Sequence, residues 1–411
     1  MKAVQEYFAS LRALDSKRLS LLAILAGGHF VIHWFQQFFP VVLPSIKATL
    51  NLSNVQVGAL TSVQQLVQGV GQLPLGMIAD SMVRHRGTLL ALSLVSMGAG
   101  YFLLGTASVL SFALLGSALI GLGTSLWHPT AAASLSNRFP ERRATALAIH
   151  GTGATISDTL TPLGVGFLLV TFPWQTVTWV QVFTGLLFGF IVWRALKGVF
   201  TEAGAQARFS RTQISEMVAL VKNPAFLGVS AATGLLQMGR LVVLTFLPIY
   251  LQEHLNYSAF ALGVYIALLH VLGIFSQTIL GALSDRFGRK TVLVPSCVML
   301  GFLFGLLAVV PAGVPLGLVI VAIGLFFYTL FNVMNAAVMD VAGSSIQAST
   351  YGLTYVVMQI IVIPTPIMTG LLIGQFGIRS SFFLAGAFLV LSGLVLVPLE
   401  LYRGTKIQGE K

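Results

Sequence analysis

Cysteine is all but missing: the 411 residues contain one, Cys297. That excludes a disulfide framework within the chain and any metal cluster built on cysteines. Charge is scarce as well. Asp, Glu, Lys and Arg together supply 9% of the residues, against about 25% in a soluble domain, so water cannot be the solvent for most of this surface. Acidic side chains are the rarer sign, 12 against 23 Lys and Arg. No Gly-rich loop ending in Lys-Ser or Lys-Thr is present to cradle the phosphates of ATP. Neither HExxH nor DDxxD occurs, so the metal-binding motifs of an embedded enzyme are missing, and neither an enzymatic activity nor a cofactor is expected. Residues 1–18 are too polar for a cleavable signal, and no small-residue cleavage site follows them.

What is abundant is apolar. Hydrophobic residues make up 56% of the chain and the mean hydropathy is +0.89. The apolar runs are about 20 residues or longer, the length a helix needs to cross a bilayer core. Backbone groups in lipid must be satisfied internally, which leaves helices or a closed barrel, and the runs lack the short alternating segments of barrel strands. Six runs fall between residues 19 and 197 and six between 223 and 402, so the spacing predicts an all-α polytopic membrane protein of twelve spans. Residues 1–18, 198–222 and 403–411 remain as polar end segments and a central loop.

The cations test this count. Twenty of the Lys and Arg residues fall at alternate ends of the spans, on one side. Lys47 and Arg379 alone fall on the other, and Arg240 lies within a span. Positive loops stay in the cytoplasm, so both termini and the central loop are expected there. The +11 formal charge is therefore read as topology, and no nucleic-acid partner is expected. Residues 1–18 are expected to lie along the inner leaflet as a short amphipathic helix.

One loop occurs twice. Gly76-Met-Ile-Ala-Asp80-Ser-Met-Val-Arg84-His85-Arg86 follows span 2, and Gly281-Ala-Leu-Ser-Asp285-Arg286-Phe-Gly288-Arg289-Lys290 follows span 8. Gly76, Asp80 and Arg84 map onto Gly281, Asp285 and Arg289 at one constant offset, the mark of a duplicated six-helix unit. Twelve spans, this duplication and this loop together resemble the major facilitator superfamily. The resemblance implies two pseudo-symmetric six-helix bundles, a protein functional as a monomer, and a conformational latch at Gly76, Asp80, Arg84, Gly281, Asp285, Arg286 and Arg289. In span 4, Gly121-Leu-Gly123-Thr-Ser-Leu-Trp127-His128-Pro129, with Gly28-His29-Phe30 in span 1, is similar to the fosmidomycin-resistance branch of bacterial facilitators. Gly151-Thr-Gly153 followed by Thr161-Pro162-Leu-Gly164 is similar to the superfamily's antiporter motif, with Thr161 at a position usually held by Gly. These likenesses imply export of a small drug-like or metabolite compound by proton antiport. Uptake of an organic anion or sugar-like metabolite by proton symport, lipid or lysolipid export, and a transport-dead receptor stay open.

Ionisable groups inside a membrane mark pathways and sites. Asp158 in span 5 and Arg240 in span 7 lie at similar depth in opposite halves, as a structural ion pair or as proton and anion sites. His29 and His33 share one face of span 1, and His128 and His270 lie in spans 4 and 8. An imidazole near its ordinary pKa of about 6.5 suits proton coupling. No carboxylate or cysteine accompanies His29 and His33 in their span, so no metal site is expected. Gln64 and Gln68, in register with Gln72, form a polar stripe on span 2. The substrate and proton candidates are therefore Asp158, Arg240, His29, His33, His128, His270, Gln64 and Gln68.

Overall fold

The computed structural model describes residues 16–200, 211–342 and 347–402. The expected amphipathic segment lies mostly outside them, as do part of the central loop and the tail. The amino-terminal half is six long helices: α1 (Ser16–Thr49), α2 (Asn54–Ser81), α3 (Arg86–Thr106), α4 (Leu110–Arg138), α5 (Arg143–Thr171) and α6 (Trp174–Leu196). A short helix, α7 (Arg211–Val221), precedes the second half. There, span 7 is α8 (Pro224–Ile249), span 8 is α9 (Ala259–Val271) plus α10 (Gly273–Phe287), and span 9 is α11 (Arg289–Leu306). Span 10 is α12 (Val314–Phe327) plus α13 (Thr329–Ala342), span 11 is α14 (Gln347–Val362) plus α15 (Thr365–Phe376), and span 12 is α16 (Ser380–Leu396). No strand is present among the described residues.

Ten of these spans are long and apolar enough to cross a membrane on composition alone. Span 2 is excluded by its glutamines and span 12, at 17 residues, by its length. Both nonetheless pack as spans. Proline does not decide where helices break. Helices α4 and α5 run through Pro129 and Pro162 without interruption, whereas span 11 breaks at Pro364, where the missing N–H and the ring clash end a helix. Span 8 breaks at Leu272, beside the flexible Gly273, and span 10 at Tyr328.

The two halves repeat one packing scheme. Span 3 packs on span 6 and span 9 on span 12, span 1 on span 5 and span 7 on span 11, and span 2 on span 4 as span 8 does on span 10. Between halves, span 2 lies on span 11 and span 5 on α9. Small residues let backbones close these seams. A Cβ on Gly58 would stand 2.3 Å from Pro366 O, and one on Gly263 would stand 2.2 Å from Pro162 O. Both contacts are at the end away from the basic loops, where Lys47 Nζ also bridges the halves to Glu253 at 2.5 Å. Toward the basic end Gly151, Gly281 and Gly352 have open space where a Cβ would go.

Candidate functional site

Between the halves lies a central cavity of ≈ 220 Å³. His33, Gln37, Gln64 and Gln68 line it from the first half, Arg240 and Tyr328 from the second. Each reaches the cavity from the middle of its span, where a polar side chain has no solvent other than this space or another side chain.

Asp158 and Arg240 make no ion pair with each other among the described residues; a relay of neutral groups joins them. Asp158 Oδ1 accepts from His33 Nδ1 at 2.8 Å and from Gln37 Nε2 at 3.1 Å. Gln37 Nε2 also donates to the Tyr328 hydroxyl at 3.2 Å. Arg240 in turn packs against the Tyr328 ring and hydrogen-bonds Gln237. Its guanidinium sits in an aromatic box, 4.7 Å from the centre of the Phe327 ring, 4.5 Å from Tyr328 and 5.7 Å from Phe331. The box holds a cation by its ring faces and neutralises none of its charge. Arg240 is 6% exposed, and its Nε has no hydrogen-bond partner among the described residues.

Glutamines and tyrosines hold the rest of the seam. Gln68 Nε2 donates to the Tyr355 hydroxyl at 2.7 Å and Gln359 Nε2 to the Gln65 carbonyl at 3.0 Å, while Gln64 is buried against the cavity. His270 lies beside Tyr328, ring centres 5.2 Å apart, buried and with neither ring nitrogen bonded; it stands behind the cavity wall rather than in it. His29 and His128 also lie behind the wall. With His33 and His150 they form one cluster drawn from spans 1, 4 and 5, in which the His29 ring stands 4.6 Å from His33, 5.5 Å from His128 and 3.9 Å from His150.

Sequence reasoning missed Gln37, Tyr328 and Tyr355 as site residues. The available signal was a tyrosine placed mid-span, away from the interfacial belts where tyrosine is ordinarily found.

At the basic end the repeated loops differ. Arg289 bonds Asp285 and also reaches Asp340 at 2.7 Å and Ser284 at 3.0 Å. In the first half Asp80 is bonded not by Arg84, which is exposed, but by Arg86 at 3.2 Å; Arg86 also donates to the Ala79 carbonyl at 2.9 Å. Arg86 and Arg289 are each the first residue of the next helix. A 3-10 turn, Val83–His85, displaces the first copy by two residues, whereas the second turns on Gly288 at φ +97°, a conformation natural only to glycine. Gly76 meets only Pro129 of its own half, Asp80 and Asp285 are largely exposed, and Arg286 lies over Phe287.

Known proteins agree with this architecture. The hexuronate transporter of Bacillus subtilis (strain 168) is 24% identical over 93% of this chain and 94% of its own. The cis,cis-muconate transport protein of Acinetobacter baylyi (strain ATCC 33305 / BD413 / ADP1) is 26% identical over 60% of this chain and 62% of its own. The crystal structure of a nucleoside transporter superposes with a TM-score of 0.77 at 16% identity, over 92% of this chain and 99% of that one. The family model described as Major Facilitator Superfamily matches residues 25–366 and again 273–409. The chain is a multi-pass membrane protein belonging to the Major Facilitator Superfamily.

Proposed function

We propose that the protein carries a small organic anion, a carboxylate, into the cell by alternating access. The observation that carries this reading is Arg240: a cation 6% exposed at the cavity, boxed by aromatic faces and, among the described residues, without a carboxylate partner. A buried charge needs compensation, and a substrate carboxylate would provide it through charge-assisted hydrogen bonds. Gln37, Tyr328, Gln68 and Tyr355 can hold the hydroxyls or second carboxylate of a polar substrate. The names of the two relatives, hexuronate and muconate, are those of organic acids and support the same class.

Two bundles, residues 19–197 and 223–402, rock about the cavity, as facilitators place their sites between repeats near midplane. The seam packed at Gly58 and Gly263 faces outward, and the open end faces the cytoplasm of a bacterial inner membrane together with both termini. The loops at Asp80 and Asp285 approach when that end closes. One chain suffices, and the substrate leaves chemically unchanged. Bringing an anion into a negative interior costs about 2.3 kcal/mol per charge per 100 mV, so a cation must accompany it, and we propose protons. The sequence also raised proton-driven export of a drug-like compound; the sign of the gradient effect separates the two.

In proteoliposomes, sugar acids and unsaturated dicarboxylates are expected to accumulate when the outside is acidic. Arg240→Gln is expected to raise KM about 10- to 150-fold, the equivalent of the 1.5–3 kcal/mol of hydrogen bonds to a charged group. Full carboxylate transport by that variant, or accumulation driven only by the opposite gradient, overturns this reading.

A further inference from the structure

The histidine cluster in the first half is not explained by a carboxylate site on Arg240. His29 Nδ1 donates to the His150 carbonyl at 2.9 Å, His128 Nδ1 to the Thr124 carbonyl at 2.9 Å, and His33 Nδ1 to Asp158 Oδ1 at 2.8 Å. Each acceptor is a carbonyl or carboxylate oxygen, which offers no proton, so each ring carries its proton on Nδ1. The tautomer is thereby fixed, and the lone pair is left on Nε2. Ligand nitrogens of His29, His33 and His128 all lie within 4.8 Å of one another. His29 is 7% exposed, and among the described residues its Nε2 has no hydrogen-bond partner. A buried lone pair without a donor costs free energy, and a cation on the far side of it removes that cost.

We infer that His29, His33 and His128 form a binding site for one divalent transition-metal ion, Zn²⁺ being the best match. Metal-ligating histidines donate their other ring N–H to a carboxylate or a backbone carbonyl, which orients the ring and raises its basicity; all three rings here do so. Three neutral imidazoles without thiolates suit Zn²⁺ and its first-row neighbours rather than Mg²⁺ or Ca²⁺. Zinc bonds imidazole at about 2.0–2.1 Å in a tetrahedron, which sets neighbouring nitrogens about 3.3 Å apart. Ring nitrogens within 4.8 Å of one another close by about 1.5 Å to reach that spacing, through side-chain torsions that turn Nε2 toward the ion. The fourth position stays open beside His33, which lines the cavity. Spans 1, 4 and 5 belong to one half, so the ion rides with that bundle and does not bridge the seam that must open.

The test uses the full chain, purified without a polyhistidine tag, with Co²⁺ as spectroscopic probe and Zn²⁺ as competitor. The expected result is one Co²⁺ per chain with the intense visible absorption of tetrahedral cobalt, displaced by one equivalent of Zn²⁺. His128→Gln is expected to weaken binding at least 100-fold. Asp158→Asn, which leaves all three rings in place, is expected to weaken it about 10- to 100-fold. The double variant His85→Gln/His254→Gln, at exposed positions, keeps the full equivalent. No stoichiometric binding by monodisperse wild-type protein overturns the inference and leaves the cluster a group of protonatable rings. So does binding that survives His128→Gln, or that is lost in the surface double variant.

Discussion

A close backbone approach across the seam gives the sharpest prediction. Gly58 on span 2 faces span 11 so closely that the methyl group of Gly58→Ala would meet Pro366 O at 2.3 Å, Pro366 C at 2.5 Å and Ile367 N at 2.8 Å. All three are backbone atoms, so no rotamer change relieves the clash, and ordinary contact at 3.4 Å or more requires the helices to part by about 1 Å. Overpacking of this kind costs about 1–3 kcal/mol. The cost falls only on the state in which the outer ends touch. A penalty of that size on one of two states changes their ratio about 5- to 150-fold, in favour of the outward-open form. Replacing Cys297, the only cysteine, leaves a background for a single reporter at Thr61, which is 4% exposed and sits opposite Thr245. The rate at which Thr61→Cys reacts with a membrane-impermeant thiol reagent added outside the cell reads the outward-open population. Gly374→Ala is the control, on the helix that Gly58 faces but with open space around it. Labelling in Gly58→Ala no faster than in Gly374→Ala would refute the assignment of this seam as the closed outer gate.

Other perturbations follow from the same geometry. Glu253→Gln breaks the bridge to Lys47, but with Glu253 38% exposed the pair is screened and worth at most about 1 kcal/mol, so Thr61→Cys labelling rises no more than about fivefold. Tyr328→Phe removes the hydroxyl that accepts from Gln37 and is expected to raise substrate KM about 2- to 13-fold, at about 0.5–1.5 kcal/mol for one hydrogen bond. Arg86→Ala leaves the Ala79 carbonyl and Asp80 without their partner and lowers stability by about 1–3 kcal/mol. Arg84→Ala is expected to stay within about 0.5 kcal/mol of wild type, and comparison of thermal unfolding midpoints in detergent checks both.

Much of this fold was legible because lipid imposes a length and topology imposes a charge bias. Span 2 shows the value of the second signal: its glutamines disqualify it by hydropathy, yet removing it would invert the sidedness of every basic loop that follows. Helix breaks were less legible. Pro129, Pro162 and Pro364 look alike in sequence, but only the last ends a helix, and the breaks at Leu272 and Tyr328 carry no proline. At the site, the pairing of His29 with His33 follows from four-residue spacing, whereas His128 joins them only through packing of span 4 on span 1. The repeated loop misled on one point. Arg84 has the register of Arg289, but a three-residue turn in one copy and a glycine in the other make Arg86 its structural counterpart.

The separation of Asp158 from Arg240 bears on how such a seam works. A direct buried ion pair between the halves would be strongly destabilised when split, by about 3–5 kcal/mol for each charge left uncompensated. That would lock the halves together in every cycle. The structure instead keeps Asp158 within the first half, satisfied by His33 and Gln37, and Arg240 within the second, held by Gln237 and the aromatic box. Near the cavity, Gln37 to Tyr328, Gln68 to Tyr355 and Gln359 to Gln65 cross the seam. Each is a neutral hydrogen bond of about 0.5–1.5 kcal/mol; the first two join side chains that can accept as well as donate, and the third ends on the Gln65 main-chain carbonyl. Such bonds can be exchanged for water or for a substrate hydroxyl at little net cost. The seam is thus closed firmly by backbone packing at the end away from the basic loops, and loosely at its centre by interchangeable dipoles. A substrate carboxylate reaching Arg240 would break only the loose part first.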